Sequence, residues 1–288
     1  MRPPLRRFVS SAAVLAAALG AAAGCSSPGG SGAGDGPPSA ESGTVPGSGG
    51  APPREPGPPP VHGYTMVRAL DHDPAAFTQG LVYEDGVFYE STGLYGRSSV
   101  RRLDASTGEI LHRVDLGGGA FGEGLTLWND KLYQLTWKEN RGFIYDKSTL
   151  ARVGVFSFPS TEGWGLTHDE SRFIFSDGSD ILYFLDPESF AVTGRISVRD
   201  PGGHVPRLNE LEYVDGEIWA NVLQTDRIAR IDPETGRVVG WIDLTGLLTP
   251  EMCAEPIDVM NGIAYDAAGG RVFVTGKHWC LLFEIRVE

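Results

Sequence analysis

The sequence contains few of the residues that build metal and nucleic-acid sites. Among 288 residues there are three cysteines, and the six histidines show no paired ligand spacing such as H-E-x-x-H. We therefore interpret the histidines as structural or exposed; they are His62, His72, His112, His168, His204 and His278. The chain has 24 Lys and Arg against 37 Asp and Glu, and this acidic balance argues against binding to nucleic acid or to an anionic membrane surface.

Helical periodicity is also lacking. No segment of useful length repeats its apolar residues at the 3.6-residue spacing of an amphipathic helix. A doubly wound α/β fold needs such helices between its strands, so this class is not favoured. Residues 61–288 are long enough for one large all-β domain with a sizeable core.

The first 25 residues predict an export signal rather than part of the fold. Three arginines precede an apolar stretch, residues 8–23, which is too short for a comfortable membrane span. The stretch ends in Ala22-Ala23-Gly24-Cys25, which is similar to a bacterial lipobox. We predict a lipoprotein signal peptide (1–25) and lipidation of Cys25; the alternative is an ordinary signal peptide with Cys25 near the cut.

Residues 26–60 are mostly Gly, Pro, Ser and Ala, a composition that predicts a disordered tether. The two segments together predict an exported protein, lipid-anchored to the outer face of a bacterial membrane, either at the cell surface or in the periplasm. In an exported domain Cys253 and Cys280 can form a disulfide. Two buried free thiols are the alternative, and we favour the disulfide.

A short motif recurs five times in the remaining part of the chain. Its copies are Gly80-Leu81-Val82-Tyr83, Gly124-Leu125-Thr126-Leu127, Gly165-Leu166-Thr167-His168, Glu210-Leu211-Glu212-Tyr213 and Gly262-Ile263-Ala264-Tyr265. They begin 44, 41, 45 and 52 residues apart, the length of a propeller blade of four short antiparallel strands. A turn and an apolar strand follow each copy.

The repeat predicts an all-β fold, a five-bladed β-propeller over residues 61–288. Four units contain a later turn led by aspartate, and Asp supplies a side-chain acceptor for such a turn. The fifth unit reaches the C-terminus after three strands. We predict that the N-terminal segment 64–70 completes it, because this would pair an otherwise exposed strand edge.

Two sets of residues should converge on the propeller axis at one face of the disc. One set precedes the five inner-strand motifs, and it is Gln79, Glu123, Trp164, Asn209 and Asn261. The other set ends the second strands, and it is Gly93, Trp137, Gly178, Leu223 and Lys277. Apolar walls with a few convergent polar groups are typical of a small-ligand site.

Several motifs in and around these sets resemble those of the papaya-type glutaminyl cyclases. They are Phe77-Thr78-Gln79-Gly80-Leu81, Phe121-Gly122-Glu123-Gly124-Leu125-Thr126, Glu162-Gly163-Trp164-Gly165-Leu166, Leu208-Asn209-Glu210-Leu211-Glu212, Asn261-Gly262-Ile263-Ala264-Tyr265, Trp219-Ala220-Asn221-Val222 with Gln224-Thr225-Asp226, and Val274-Thr275-Gly276-Lys277. The resemblance runs from about Phe77 to Lys277. It implies a glutaminyl-peptide cyclotransferase, an enzyme that converts the N-terminal glutamine of peptides or proteins to pyroglutamate and releases ammonia.

The resemblance also implies roles for single residues. Glu123 matches the essential carboxylate, and the residues that match the substrate pocket are Phe77, Gln79, Trp137, Trp164, Asn209 and Lys277. We add Asn261 from its place in the converging set, although an amide that caps a strand start is an equal alternative. The chain has Leu223 where the plant enzymes have Trp, so one aromatic wall is missing.

Cyclisation of this kind is an intramolecular aminolysis, for which one carboxyl group can serve as general base and then as general acid. Glu123 is the only acid in the converging sets, and Lys277, Gln79 or Asn209 can donate to the oxyanion. We therefore predict Glu123 and Lys277 as catalytic. No organic cofactor is required, no catalytic metal is predicted, and a structural divalent cation is compatible with the sequence. We expect a monomer that acts on peptides with N-terminal Gln.

Two other functions fit a ring of such residues. Glu123, Asn209 and Asn261 offer oxygen ligands, so a metal-dependent lactonase or esterase is one alternative. A non-catalytic propeller that binds a peptide or glycan is the other, since Trp137 and Trp164 alone could be packing residues between blades.

Overall fold

The computed structural model describes residues 57–288. The predicted signal peptide, Cys25 and most of the predicted tether lie outside these residues. Within them the chain is almost entirely β, with one short 3₁₀ turn at Pro250–Met252. No helix in this range is long and apolar enough to cross a membrane.

The chain opens with two strands that later join other blades, and the first two blades follow. The opening strands are β1 (Val61–His62) and β2 (Tyr64–Asp71). The first blade consists of β3 (Thr78–Glu84), β4 (Val87–Thr92), β5 (Ser99–Asp104) and β6 (Ile110–Asp115). The second blade consists of β7 (Gly122–Trp128), β8 (Lys131–Thr136), β9 (Gly142–Asp146) and β10 (Arg152–Phe156). Both sheets are antiparallel throughout.

Three more blades complete the fold. The third consists of β11 (Leu166–His168), β12 (Phe173–Ser176), β13 (Ile181–Leu185) and β14 (Val192–Ser197), and a small hairpin of β15 (Arg199–Asp200) and β16 (Gly203–His204) follows it. The fourth consists of β17 (Leu208–Val214), β18 (Glu217–Val222), β19 (Arg227–Ile231) and β20 (Val238–Asp243). The fifth contains β21 (Met260–Asp266), β22 (Arg271–Gly276) and β23 (Leu281–Val287). The predicted five-bladed β-propeller is confirmed.

The N-terminal strands lie on the outer edges of the last two blades. Strand β2 pairs antiparallel with β23 from Tyr64 beside Val287 to Asp71 beside Leu281, so it forms the fourth strand of the fifth blade. Strand β1 pairs in parallel with β20 at the edge of the fourth blade. Cys253 and Cys280 form a disulfide with a Cα–Cα distance of 5.7 Å.

One apolar cluster fills each of the five spaces between neighbouring blades. For example, Phe88 of the first blade packs with Phe273 of the fifth, and Phe173 of the third blade lies in one cluster with Tyr133 of the second. All five clusters consist of buried side chains, with partly buried apolar residues packed against them. Burial of this apolar surface is the main favourable term that holds the blades together.

The repeated glycine lets the inner strands approach one another around the axis. A Cβ on Gly80 would lie 2.5 Å from the backbone nitrogen of Leu125, and one on Gly165 would lie 2.0 Å from the carbonyl oxygen of Asn209. The fourth blade has Glu210 at this position instead, and its carboxylate accepts hydrogen bonds from the N–H groups of Leu81 and Ile263. One buried side chain therefore joins three inner strands.

The aspartate-led turns form as predicted. In all four, the carboxylate accepts the backbone N–H three residues further along the chain, as in the 3.0 Å bond from Thr107 to Asp104 and the 2.8 Å bond from Thr235 to Asp232. These bonds satisfy turn N–H groups that have no strand partner.

Candidate active site

A cavity of about 310 Å³ lies where the inner strands begin and the second strands end. The residues that line it are Phe77, Gln79, Leu94, Phe121, Glu123, Trp137, Trp164, Asn209, Leu223 and Lys277. The two predicted sets of side chains therefore do converge, with Asn261 as the exception among the predicted site residues. Each of the five blades contributes at least one residue to this lining.

Tight turns place the residues that follow the second strands. Leu94, Gln224 and His278 have positive φ values of 80°, 65° and 60°, in the left-handed region that L side chains rarely adopt. Each of these residues lies two positions after the end of the second strand of the first, fourth or fifth blade, at Thr92, Val222 or Gly276. The reversal at Gln224 and His278 comes immediately after Leu223 and Lys277, which reach the cavity.

Glu123 is the carboxylate of the cavity and is almost completely buried, with 5% of its surface exposed. Its Oε1 accepts a hydrogen bond of 2.9 Å from Nε2 of Gln79. Burial raises the pKa of Glu123 well above its usual range; the charge of Lys277 opposes this shift, while those of Glu162 and Glu139 add to it. The protonated form of Glu123 is therefore favoured more than in an exposed glutamate.

Lys277 is buried beside the same cavity, with 6% of its surface exposed. Its Nζ lies 4.7 Å from the centre of the Phe77 ring, a cation–π contact. Burial lowers the pKa of Lys277, and the charges of Glu123 and Asp258 partly offset that effect. The site thus holds one acid and one amine whose pKa values are shifted towards each other.

Asn261 lies behind Gln79 and does not line the cavity. Its Nδ2 donates to the carbonyl oxygen of Thr78 at 3.0 Å and to Oε1 of Gln79 at 3.2 Å. The second bond leaves Nε2 of Gln79 directed at Glu123. The geometry agrees with the capping alternative for Asn261 rather than with direct substrate contact, and it makes Asn261 a support for Gln79.

The apolar wall centres on Phe121, a residue of one sequence motif for which we predicted no role. Its ring centre lies 6.0 Å from that of Phe77, 5.4 Å from that of Tyr95 and 5.5 Å from that of Trp137. Gly93 makes room for this ring, since a Cβ there would lie 2.3 Å from Phe121. Leu94 was missed altogether, and its position directly after Gly93 in the second set is the one signal that pointed to it.

Oxygen and nitrogen donors for a metal are sparse in this region. Within residues 57–288 no group of three or more His, Cys, Asp and Glu side chains is arranged to hold a metal ion. Asn209 is 2% exposed, and its Oδ1 has no hydrogen-bond partner among the described residues. An unpaired buried acceptor beside a cavity is costly unless a ligand or water satisfies it.

Comparison with known proteins identifies the family. The family model for glutamine cyclotransferase matches residues 47–287. The chain belongs to the glutamine cyclotransferase family. It is 46% identical to the glutaminyl-peptide cyclotransferase of Arabidopsis thaliana over 228 aligned residues, and the match covers 77% of this chain and 71% of that protein.

A solved structure supports both the family and the fold. The crystal structure of Myxococcus xanthus glutaminyl cyclase matches with a TM-score of 0.74 and 37% sequence identity, and the match covers 80% of this chain and 98% of that one. The resemblance seen in the sequence motifs is therefore confirmed at the level of the family, and the chain is an enzyme of the glutamine cyclotransferase type.

Proposed function

We propose that this enzyme converts the N-terminal glutamine of peptides or proteins to pyroglutamate and releases ammonia, with Glu123 as general base and then general acid. One observation carries the proposal: a single buried carboxylate, hydrogen-bonded to one amide, faces a cavity walled by aromatic rings. That arrangement suits a substrate with an apolar stem and a reacting amide end. The names of the two relatives agree with this substrate.

The reaction joins two groups of one residue, so it needs no second substrate. The neutral α-amine of glutamine attacks its own γ-amide carbon, and a C–N bond forms. Glu123 takes a proton from the attacking nitrogen and passes it to the amide nitrogen. The bond from the amide carbonyl carbon to that nitrogen then breaks, and ammonia leaves. Glu123 returns to its starting state, and the atoms of the peptide balance those of pyroglutamyl peptide and ammonia.

The raised pKa of Glu123 suits both halves of this proton transfer. A carboxyl group whose pKa lies nearer to neutrality is a stronger base than an exposed one, and it still supplies a proton readily to the leaving nitrogen. The hydrogen bond from Gln79 orients the carboxyl group of Glu123. Glu123 therefore has both a raised pKa and a defined orientation.

Lys277 and Asn209 can stabilise the reacting amide. Lys277 is the one cation among the residues that line the cavity, and it can donate to the oxyanion of the tetrahedral intermediate, a contribution of about 3–4 kcal/mol in well-studied enzymes. The unpaired Oδ1 of Asn209 can accept an N–H of the substrate. The aromatic walls hold the glutamine stem curled, and in an intramolecular reaction such positioning lowers the barrier strongly.

We further propose that the enzyme is exported and lipid-anchored through Cys25, and that it works as a monomer without an organic cofactor. The first part rests on the lipobox-like Ala22-Ala23-Gly24-Cys25. Incorporation of radiolabelled fatty acid in a bacterial host tests it. Label that persists in a Cys25→Ser variant would contradict lipidation at Cys25. Size-exclusion chromatography with light scattering measures the molar mass and so tests whether the enzyme is a monomer.

The test of the activity is ammonia release from a short peptide with N-terminal Gln, with and without EDTA. We expect the wild type to release ammonia in the presence of EDTA. Glu123→Gln, which keeps the shape of the side chain, should fold normally and lose about 10²–10⁴-fold in kcat. An inactive wild type would refute the proposal, and loss of activity with EDTA would favour the metal-dependent lactonase or esterase. Peptide binding without turnover would indicate the non-catalytic propeller.

A further inference from the structure

Glu162 contacts two walls of the cavity without lining it. Its Oε2 accepts a hydrogen bond of 3.0 Å from Nε1 of Trp137 and one of 3.1 Å from Nε1 of Trp164. The two indoles belong to different blades, because Trp137 follows β8 and Trp164 precedes β11. One carboxylate oxygen therefore links two cavity walls that belong to different blades.

The backbone around these rings is fixed without Glu162. The N–H of Trp137 donates to the carbonyl oxygen of Phe121 at 3.0 Å, and the N–H of Trp164 donates to that of Ser176 at 3.0 Å. The N–H of Gly163 donates to the carbonyl oxygen of Trp137 at 2.8 Å. These bonds place the Cα atoms, whereas the two side-chain torsions of each tryptophan are set by what its ring and its N–H contact.

We propose that Glu162 is a positioning residue that holds the indoles of Trp137 and Trp164 in the orientation that grips the glutamine stem of the substrate. The proposal rests on the proposed cyclase function for its kinetic consequence, and on the two hydrogen bonds for its structure. An N–H bond to a carboxylate is stronger than one to a neutral acceptor, so a shared carboxylate restrains both rings together. Loose rings would leave the reacting amine and amide less often in the attacking geometry.

An ion pair with Lys138 is the main alternative role for Glu162. Its Nζ lies 3.4 Å from Oε1 of Glu162 and 3.9 Å from the centre of the Trp137 ring. The side chains of Lys138 and Glu162 are 51% and 33% exposed, and an ion pair as exposed as this contributes little. If Glu162 served only this pair, removal of either partner would have the same effect.

The negative charge of Glu162 near Glu123 is a second effect, which the experiment must separate from the contacts with the indoles. Glu162 and Glu139 are both acids near Glu123, but Glu139 accepts its hydrogen bond from the hydroxyl of Tyr95 at 2.8 Å and, among the described residues, accepts none from either indole. Glu139→Gln thus removes one nearby negative charge and leaves the indole contacts intact. It is the matched control for Glu162→Gln.

The experiment compares Glu162→Ala, Glu162→Gln, Lys138→Ala and Glu139→Gln with the wild type on a short peptide with N-terminal Gln. We expect Glu162→Ala to lower kcat/KM at least about tenfold, since displacements of ~1 Å in a site can cost ~10²-fold. Glu162→Gln keeps an acceptor oxygen and should recover most of the loss. Lys138→Ala should stay within about threefold of the wild type because its ion pair with Glu162 is exposed. Glu139→Gln should do the same because glutamine keeps an acceptor oxygen for the hydroxyl of Tyr95.

A second measurement does not depend on turnover. The indole N–H signals of Trp137 and Trp164 are recorded by ¹H–¹⁵N NMR and assigned with Trp137→Phe and Trp164→Phe. We expect both signals to exchange slowly with solvent in the wild type, to lose that protection in Glu162→Ala, and to keep it in Lys138→Ala.

The proposal is overturned if Glu162→Ala leaves both indole signals protected, if it leaves kcat/KM within threefold of the wild type, or if Lys138→Ala reproduces its effect. A wild type that does not release ammonia refutes the proposed activity instead. The NMR comparison then still decides whether Glu162 holds the two rings.

Discussion

Gly178 leaves the space that the indole of Trp164 occupies. A Cβ on Gly178 would lie 2.6 Å from Cζ2 of that ring, and the φ angle of Gly178 is +81°. Glycine is therefore required here for two reasons: the backbone has a positive φ, and a Cβ would clash with the indole of Trp164. This relationship makes Gly178 part of the site although it has no side chain.

We predict that Gly178→Ala destabilises the fold and impairs turnover together. An L residue in the left-handed region costs about 1–2 kcal/mol, and a clash with a packed ring adds about 1–3 kcal/mol. Gly86→Ala is the matched control, because Gly86 has a φ of +82° and nothing within 4 Å of a Cβ position. Urea unfolding and kcat/KM measure the two effects. Equal stability losses in both variants would contradict the clash with Trp164.

Leu223 is a position that we expect to control substrate affinity. Leu223 lines the cavity. The plant enzymes that the sequence motifs resemble have Trp at this position. Leu223→Trp should add an aromatic wall and lower KM for a Gln-peptide about three- to tenfold, equivalent to about 0.6–1.4 kcal/mol of added contact. Leu223→Ala should raise KM. Steady-state kinetics give both, and an increase of KM in Leu223→Trp would show that the larger ring fills the space that the substrate needs.

Glu212 gives the fold a predictable response to pH. It accepts hydrogen bonds from the N–H of Tyr265 at 2.9 Å and from the hydroxyl of Thr167 at 3.4 Å. Burial raises the pKa of Glu212 to about 8, and these bonds only partly oppose the shift. The folded protein therefore holds a proton on Glu212 that the unfolded chain releases near pH 4.5.

The sign of the effect follows from proton binding. The contribution of Glu212 to the free energy of unfolding is fully present below about pH 4.5 and is lost as the pH rises to about 8. We expect the wild type to lose up to about 5 kcal/mol relative to Glu212→Gln over this range, since each pH unit between about 4.5 and 8 is worth at most about 1.4 kcal/mol. Urea unfolding at several pH values measures the difference. Glu234→Gln, at an exposed turn, serves as the control, and parallel curves for wild type and Glu212→Gln would contradict the prediction.

Much of the architecture could be predicted because its determinants are local. Blade length appears in the spacing of the glycine motifs, and turns such as the one at Asp104 are marked by residues that bond their own neighbours. The propeller symmetry then assigns Glu123, Trp164 and Asn209 to one face without knowledge of any contact. The family resemblance supplied the chemistry that the symmetry could not.

The exact neighbours of the site residues could not be predicted in this way. Asn261 occupies the same position in its repeat as Asn209 and Glu123, yet it lies behind Gln79 and supports that side chain. The disulfide between Cys253 and Cys280 was favoured from the predicted export, and the structure confirms it, but the distance between the two loops, 27 residues apart in sequence, is set by the tertiary fold.

The sequence by itself thus determined the number of blades, the face that carries the site and the identity of the carboxylate, since these follow from a repeat and from residue type. Only the tertiary structure decided that Glu162 bonds both indoles and that Gly178 accommodates Trp164. The physical reason is the range of the interactions. Turns and strands are set within a few residues, whereas a hydrogen bond or a close contact between blades depends on where whole sheets pack, to within about half an ångström.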